Sequence, residues 1–273
     1  MKVIVRPPSD RFVAAISTHP ERNRIDPRRA VAQHAAFCAA LEAAGVDLVR
    51  LPAEPELPDA TFVSDVLLAL PPAGRPGDPT ALLVATRPGA QPRRPEVEGV
   101  LRAARPLVGA EVPVVRIEPP ALLEGGDVIV YGDRIAIGVS ARTNEAGARH
   151  LADAAGALGY RAFLCPVTDR LHLATAITAL GPDLLIGTAA GFASLDAADP
   201  AAAPRDEVRR LVVPDAELPG ANVLVLAGRC FVAAGYPTAA RLVGQMGALV
   251  VEVELGEFIR ADGGPTCLVA LVP

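Results

Sequence analysis

The sequence predicts an α/β fold built from a repeated unit and arranged radially, rather than one doubly wound sheet. Two observations predict it. A ββαβ unit (hairpin, helix, glycine stop, strand) recurs at about 50 residues per copy, as in repeat architectures. No G-x-G-x-x-G follows the first strand and no phosphate-binding P-loop occurs, so nucleotide chemistry has no fingerprint here. The glycine stops that align the copies are Gly45, Gly109, Gly159, Gly181 and Gly247.

The elements follow in chain order. Residues 2–6 alternate as a strand. Asp26-Pro27 opens a helix, with Asp as N-cap and Pro at the first helical position. Val31, His34, Ala35, Cys38, Leu41 and Glu42 follow at helical spacing, Gly45 stops the helix, and Val46 to Leu51 forms a strand. After a proline-acid connector, Asp59 to Asp65 leads into the apolar Val66 to Leu70. A Pro/Gly loop over 71–79 joins it to Ala81–Ala85 as a hairpin. The proline- and arginine-rich stretch from Thr86 to Pro95 enters a helix over 95–104, and Val112 to Ile117 is a strand.

Glu124-Gly125-Gly126-Asp127 begins a second hairpin, Val128–Tyr131 and Arg134–Ile137, turning at Gly132-Asp133. A helix runs from Glu145 to about Leu158, with a strand from Tyr160 to Leu164. His172 stands at the entry of an apolar helix ending near Gly181, and Leu184 to Ile186 is a strand. Ala221–Leu226 and Arg229–Ala233 flank Ala227-Gly228 as a hairpin. Thr238 caps a helix that stops at Gly247, and Ala248 to Val253 is a strand. The final strand, Thr266 to Val272, carries Cys267 at its start.

Composition narrows the function classes. With 51 % hydrophobic and 21 % charged residues over 273 positions, the chain is globular and able to bury a large core. A formal net charge of −5 makes nucleic acid and anionic membranes poor partners. No apolar run reaches membrane-spanning length, and the N-terminal strand is too short for the apolar core of a signal peptide. Cys38, Cys165, Cys230 and Cys267 show no CxxC spacing, which reads as reduced thiols in a cytoplasmic protein.

Three stretches carry chemistry. Cys267 follows a Gly263-Gly264 turn that lets a ligand approach the backbone closely. His172 is the one histidine of four at an element junction flanked by apolar residues, suited to a general acid/base reaching a cleft. Glu124 and Asp127 flank a double glycine, where a carboxylate can orient a histidine or bind a cation. Taken singly, each has an ordinary reading: a buried thiol, a core histidine, solvated turn acids. If Asp59, Asp65 and Glu124 converge, the pocket selects a cation; Arg93 and Arg142 then ask for a carboxylate on the same molecule. A zwitterion with a distal cation, such as arginine, satisfies both.

These motifs, in this order, resemble the dimethylargininase (dimethylarginine dimethylaminohydrolase) family of the guanidino-group-modifying superfamily. They are Leu57-Pro58-Asp59 with Phe62-Val63-Ser64-Asp65, Thr86-Arg87-Pro88-Gly89-Ala90 with Arg93-Arg94, and Leu123-Glu124-Gly125-Gly126-Asp127. Then come Ser140-Ala141-Arg142-Thr143-Asn144, Leu171-His172-Leu173, Val213-Pro214 with Ala221-Asn222, and Asp262-Gly263-Gly264 with Thr266-Cys267. The resemblance runs nearly end to end. It implies one catalytic domain over 1–273, a five-bladed pseudo-symmetric α/β propeller (pentein) of ββαβ units.

It further implies Cys267 as nucleophile, His172 as general acid/base and Glu124 as the carboxylate beside them. Asp65 would hold the guanidinium, Asp59 the α-amine, Arg93 and Arg142 the α-carboxylate, and Ala261 would offer a backbone carbonyl. Ser64 stands where the family has Glu, which removes one pocket carboxylate. The implied reaction is hydrolysis of Nω-methylated arginine to citrulline and a methylamine, with no cofactor and no metal. The partner is a small guanidino amino acid, and a homodimer is left open. Alternatives are an arginine deiminase-like hydrolase, an amidinotransferase, and a non-catalytic protein that binds arginine derivatives.

Overall fold

A computed structural model describes residues 1–75, 78–198 and 208–273; residues 76 and 77 of the loop expected over 71–79 lie outside it. Its strands form five three-stranded sheets. β1 (Lys2–Val5) and β2 (Asp47–Arg50) share one sheet, β3 (Leu67–Leu70), β4 (Leu82–Ala85) and β5 (Val114–Arg116) the next. β6 (Val128–Tyr131), β7 (Arg134–Val139) and β8 (Arg161–Pro166) form the third. β9 (Ile177–Gly181), β10 (Leu184–Thr188) and β11 (Arg209–Val213) form the fourth, and β12 (Leu224–Leu226), β13 (Arg229–Ala233) and β14 (Leu249–Val253) the fifth. β15 (Ala270–Val272) returns to the first sheet, antiparallel to β1.

Each sheet has one pattern. An inner strand pairs antiparallel with the middle strand, which pairs parallel with the outer one. Parallel neighbours need a crossover, and a helix supplies it in every blade. These helices are α1 (Pro27–Ala43), α2 (Glu96–Ala104), α3 (Glu145–Gly156), α4 (Ala189–Asp196) and α5 (Pro237–Gln245). The short α6 (Gly256–Ile259) precedes β15.

The cores lie between blades. Leu70, Leu82 and Val84 of the second sheet pack with Ile135, Ile137 and Leu151 of the third blade. Ile129 and Ala136 of the third pack with Ile177 and Leu185 of the fourth. Ile186 and Val213 continue into Val223 and Val232 of the fifth, and Leu224 and Phe231 into Val3, Val5 and Val269 of the first. Ile4, Ala270 and Val272 then meet Leu67 and Leu83 of the second. The packing returns to where it began, so the sheets form a five-bladed α/β propeller.

Caps and turns explain several elements directly. The Asp26 carboxylate accepts from the Arg28 and Arg29 amides, and Asn144 caps α3 through the Gly147 amide. Gly45, Gly159 and Gly247 have φ of +85°, +90° and +81°, the left-handed conformation of a helix stop.

Four expectations need correction. The apolar helix expected after His172 is a 3-10 turn, Leu173–Thr175, followed by β9; Gly181 ends that strand and stops no helix. Its alanine-rich sequence suits a helix, but pairing with β10 across the Pro182-Asp183 turn wins. The strand expected from Thr266 begins only at Ala270, because Pro265–Leu268 is a 3-10 turn, and Cys267 sits inside it. Thr238 does not cap α5: Pro237 occupies the first turn, and Glu217 receives the Thr238 amide and hydroxyl. Gly109 follows a 3-10 extension, Arg105–Leu107, beyond α2.

Candidate active site

Every inner strand is preceded by a short 3-10 turn: Val63–Asp65, Gly125–Asp127, Leu173–Thr175, Asp215–Ala221 and Pro265–Leu268. These turns and the residues that flank them carry Asp65, Glu124, His172, Asn222 and Cys267, one from each blade. The candidate chemistry therefore gathers at one end of the propeller axis, one group per blade.

Glu124 and His172 meet directly. Nε2 of His172 lies 2.8 Å from Oε2 of Glu124, and both side chains are buried. The other Glu124 oxygen accepts from the Ala90 amide at 3.1 Å and faces Nη1 of Arg142 at 3.4 Å. Asp127, fully buried, accepts from the Leu173 amide at 3.0 Å and the Ser140 hydroxyl at 2.7 Å, which anchors the turn that carries His172.

Burial pushes the His172 imidazolium toward deprotonation. The charges of Asp65, Glu124 and Asp127, with the Glu124 hydrogen bond, outweigh it and raise its pKa to about 9. Burial pushes the Glu124 carboxyl up, but the His172 hydrogen bond and charge, with Arg93 and Arg142, hold it below the usual carboxylate range. The pair is thus an imidazolium–carboxylate at neutral pH.

Asp65 accepts from the Gly126 amide at 2.9 Å and from Nη1 of Arg93 at 2.5 Å. The double glycine is a steric requirement here. A Cβ on Gly126 would stand 2.5 Å from Nδ1 of His172 and 2.8 Å from Oδ1 of Asp65. Arg93 is buried and spends its guanidinium on Glu96, Asp65 and the Phe62 and Asp59 carbonyls. Arg142 is the freer cation, its side chain 14 % exposed at the cleft. Asp59 also lines the cleft, with its carboxylate taking the Ile16 amide at 3.0 Å.

Cys267 faces the same cleft as Asp65, Arg93, Arg142 and His172, together with Ile16, Phe62 and Ala261. The cleft is narrow, with a volume of about 20 Å³. Burial and then the Asp65 charge push the Cys267 thiol up to about 11, against the Thr266 and Arg93 groups, which pull it down. Asn222 braces the cysteine turn: its Nδ2 donates to the Thr266 hydroxyl at 2.8 Å and its Oδ1 accepts the Thr266 amide at 3.0 Å. Ser64 lies elsewhere. Its hydroxyl donates to the Cys267 carbonyl at 3.2 Å, and the residue borders a second cavity rather than the cleft.

The ligand atoms of Asp65, Glu124 and His172 converge within 4.8 Å, close enough for a metal ion. In this arrangement Arg93, Arg142 and the imidazolium already supply the positive charge. The buried Cys38 and His34 side chains lie 3.7 Å apart but are chemically quiet: burial lifts the thiol to about 11 and drops the imidazole to about 4.

Two residues of the site have roles that the sequence does not give. Glu96, the buried partner of Arg93, sits three positions along and has its pKa raised by burial to about 7. Asp262, at φ +59°, holds the Ser17 hydroxyl and Thr18 amide through one oxygen and so fixes the loop that carries Ile16. The i,i+3 Arg-Glu spacing was the one available hint for the first; the second is marked by the glycine pair after it, but its hold on Ser17 and Thr18 exists only through the fold.

Among the described residues, no helix is long and apolar enough to cross a membrane. A family model for arginine deiminase matches residues 110–185. An N(G),N(G)-dimethylarginine dimethylaminohydrolase of Streptomyces coelicolor is 37 % identical over 268 residues, covering 98 % of this chain and 95 % of the relative. The Pseudomonas aeruginosa protein of the same name is 29 % identical, with 97 % of each chain covered. The structure of a cysteine-to-serine mutant of that enzyme complexed with citrulline superposes with a TM-score of 0.87 over 98 % of both chains. The N-terminal domain of ArgZ, a cyanobacterial arginine dihydrolase bound to product, shares the fold alone, at 16 % identity and a TM-score of 0.77, with 98 % of this chain and 96 % of that one covered. With its five blades, one buried His–Glu pair and a cysteine turn facing it, this chain belongs to the dimethylarginine dimethylaminohydrolase family.

Proposed function

We propose that this chain hydrolyses Nω-methylated L-arginine to L-citrulline and a methylamine, with residues 1–273 acting as one catalytic domain. The observation that carries the reading is the shared cleft: a thiol, an imidazolium held by a buried carboxylate, and acids placed for a cation.

The substrate guanidinium lies against Asp65, with Glu124 and Asp59 adding negative charge. Arg142 takes the α-carboxylate, and Asp59 and the Ala261 backbone border the α-amine. Arg93 serves first as the clamp that orients Asp65 and can turn one edge to the carboxylate. Ser64 acts on the nucleophile's backbone rather than on the guanidinium.

A thiol at about 11 is neutral in the free protein. A bound cation beside Asp65 offsets the negative charge that keeps it protonated, so the thiol releases its proton to solvent and the thiolate forms where the electrophile already sits. It attacks the guanidinium carbon. His172 passes its proton to the departing nitrogen, the C–N bond breaks, and a neutral amine leaves behind an S-alkylthiouronium. The neutral imidazole then takes a proton from water as the oxygen attacks the same carbon. The C–S bond breaks, and citrulline and the thiol are released. The orientation of the reacting groups carries much of the acceleration.

The test is a substrate panel of dimethylarginine, monomethylarginine, arginine and agmatine, with ureido product and released amine both measured. Methylamine release from the methylated substrates supports the reading. Ammonia release from arginine alone assigns a deiminase, transfer to added glycine an amidinotransferase, and saturable binding without product a non-catalytic binder.

A further inference from the structure

A second cavity runs along the propeller axis, walled by the inner strands. Leu68, Val130, Leu180, Val225 and Leu271 line it, and its volume is about 450 Å³. It ends at the catalytic turns. One residue, Cys267, lines both this channel and the substrate cleft.

The partition around that thiol is built of small residues: Ser64, Gly125, Gly126, Ala174 and Thr266 all face the channel. Gly126 stands between the two spaces: it lines the channel, its amide donates to the Asp65 carboxylate at 2.9 Å, and a Cβ added there would meet the His172 ring at 2.5 Å. Ser64 matters as much. Where a glutamate would fill this corner with charge, a hydroxyl turned onto the Cys267 carbonyl leaves it short and neutral. No side chain lining the channel among the described residues is an acid, a base or a histidine.

We propose that this channel is a second route to the reaction centre, which takes small uncharged molecules, amine outward and water inward, past Cys267 while the cleft is occupied. The proposal rests on the hydrolytic reading above. In that reading the amine is freed at the deep end of the cleft, with the rest of the amino acid still anchored between it and the mouth. The proton from His172 makes it a neutral amine at the moment the C–N bond breaks. An apolar wall costs a neutral amine or a water little, but excludes a guanidinium or a zwitterion, whose charges would be stripped of water. Substrate and citrulline therefore keep to the cleft.

The route is tested by labelling Cys267, which needs no turnover. The chain is treated with iodoacetamide, small and uncharged, or iodoacetate, which the cleft arginine attracts; alkylation at Cys267 is followed by peptide mass mapping. Val225→Phe and Leu271→Phe narrow the channel away from every catalytic group, and Val130→Phe replaces either one that does not fold. Overfilling should slow iodoacetamide labelling by about tenfold and leave iodoacetate labelling unchanged. Folded, narrowed variants that label with iodoacetamide at the parent rate overturn the route. A parent chain that makes no ureido product defeats the hydrolytic reading and leaves the labelling result to stand alone.

Discussion

Nε2 of His172 sits 2.8 Å from a carboxylate oxygen of Glu124, which solvent does not reach, while the ring keeps a narrow edge on the cleft. The Glu124→Gln variant keeps the shape and removes the charge. Turnover should fall by about 10² to 10⁴, the usual worth of a tuned acid/base. The pH profile of kcat gives the finer check. Amine release needs the imidazolium, so kcat should decline as pH rises through about 9 in the parent. That limb should move to lower pH in Glu124→Gln.

The same raised pKa is linked to stability. The folded chain binds the His172 proton more tightly than the unfolded chain, whose imidazole has its ordinary value of 6.5. The contribution is complete below that value, declines as pH climbs, and is gone above about 9. Urea midpoints measured from pH 6 to 10 should show this loss in the parent and a smaller one in Glu124→Gln.

Asp65 opposes thiolate formation in the free chain while serving the cationic substrate. Asp65→Asn should therefore split two readouts. Alkylation of Cys267 at pH 8 should become faster, and turnover of methylarginine should drop. A variant that slows both points to collapse of the Arg93 clamp instead, which is read from its urea midpoint.

Gly126→Ala puts a methyl group where the His172 ring and the Asp65 oxygen already are. The ring must move, and a misplaced acid/base should cost about 10² in kcat with KM changed far less. Steady-state kinetics beside a circular dichroism spectrum separate this from misfolding.

Phe258 is fully buried among Phe12, Phe62 and His34, with ring centroids 5.2 Å from Phe12. Phe258→Ala should destabilise by about 3–5 kcal/mol in urea unfolding. Phe62 also lies under the Arg93 guanidinium, so activity should fade before the fold does.

Local chemistry explains what was legible in the sequence. The hairpins turning at Gly132-Asp133 and Ala227-Gly228, and the cap at Asp26, follow from residues next to one another, and they appear as expected. β9 was not legible, because alanine-rich residues satisfy a helix until β10 offers a partner. α4 and β11 went unread: Thr188 caps α4, but its eight residues are mostly small and apolar with no polar face to set a period, and β11 shows no alternation. Within the site, Cys267, His172 and Glu124 could be named from their punctuation, yet the 3-10 turns that place them have no periodicity to detect. The partners that exist only through the fold stayed hidden, Glu96 under Arg93 and Asn222 across from Thr266.

One group per blade has a mechanical meaning. A molecule gripped by Asp65, Glu124, His172 and Cys267 at once is a hub that ties four spokes together more firmly than the Glu124–His172 and Asp65–Gly126 bonds alone. Its binding should slow amide hydrogen exchange at the starts of all the inner strands together, including β12, which Asn222 joins to the Thr266 and Ala174 turns. Protection confined to the blade nearest the ligand would mean that the spokes move independently.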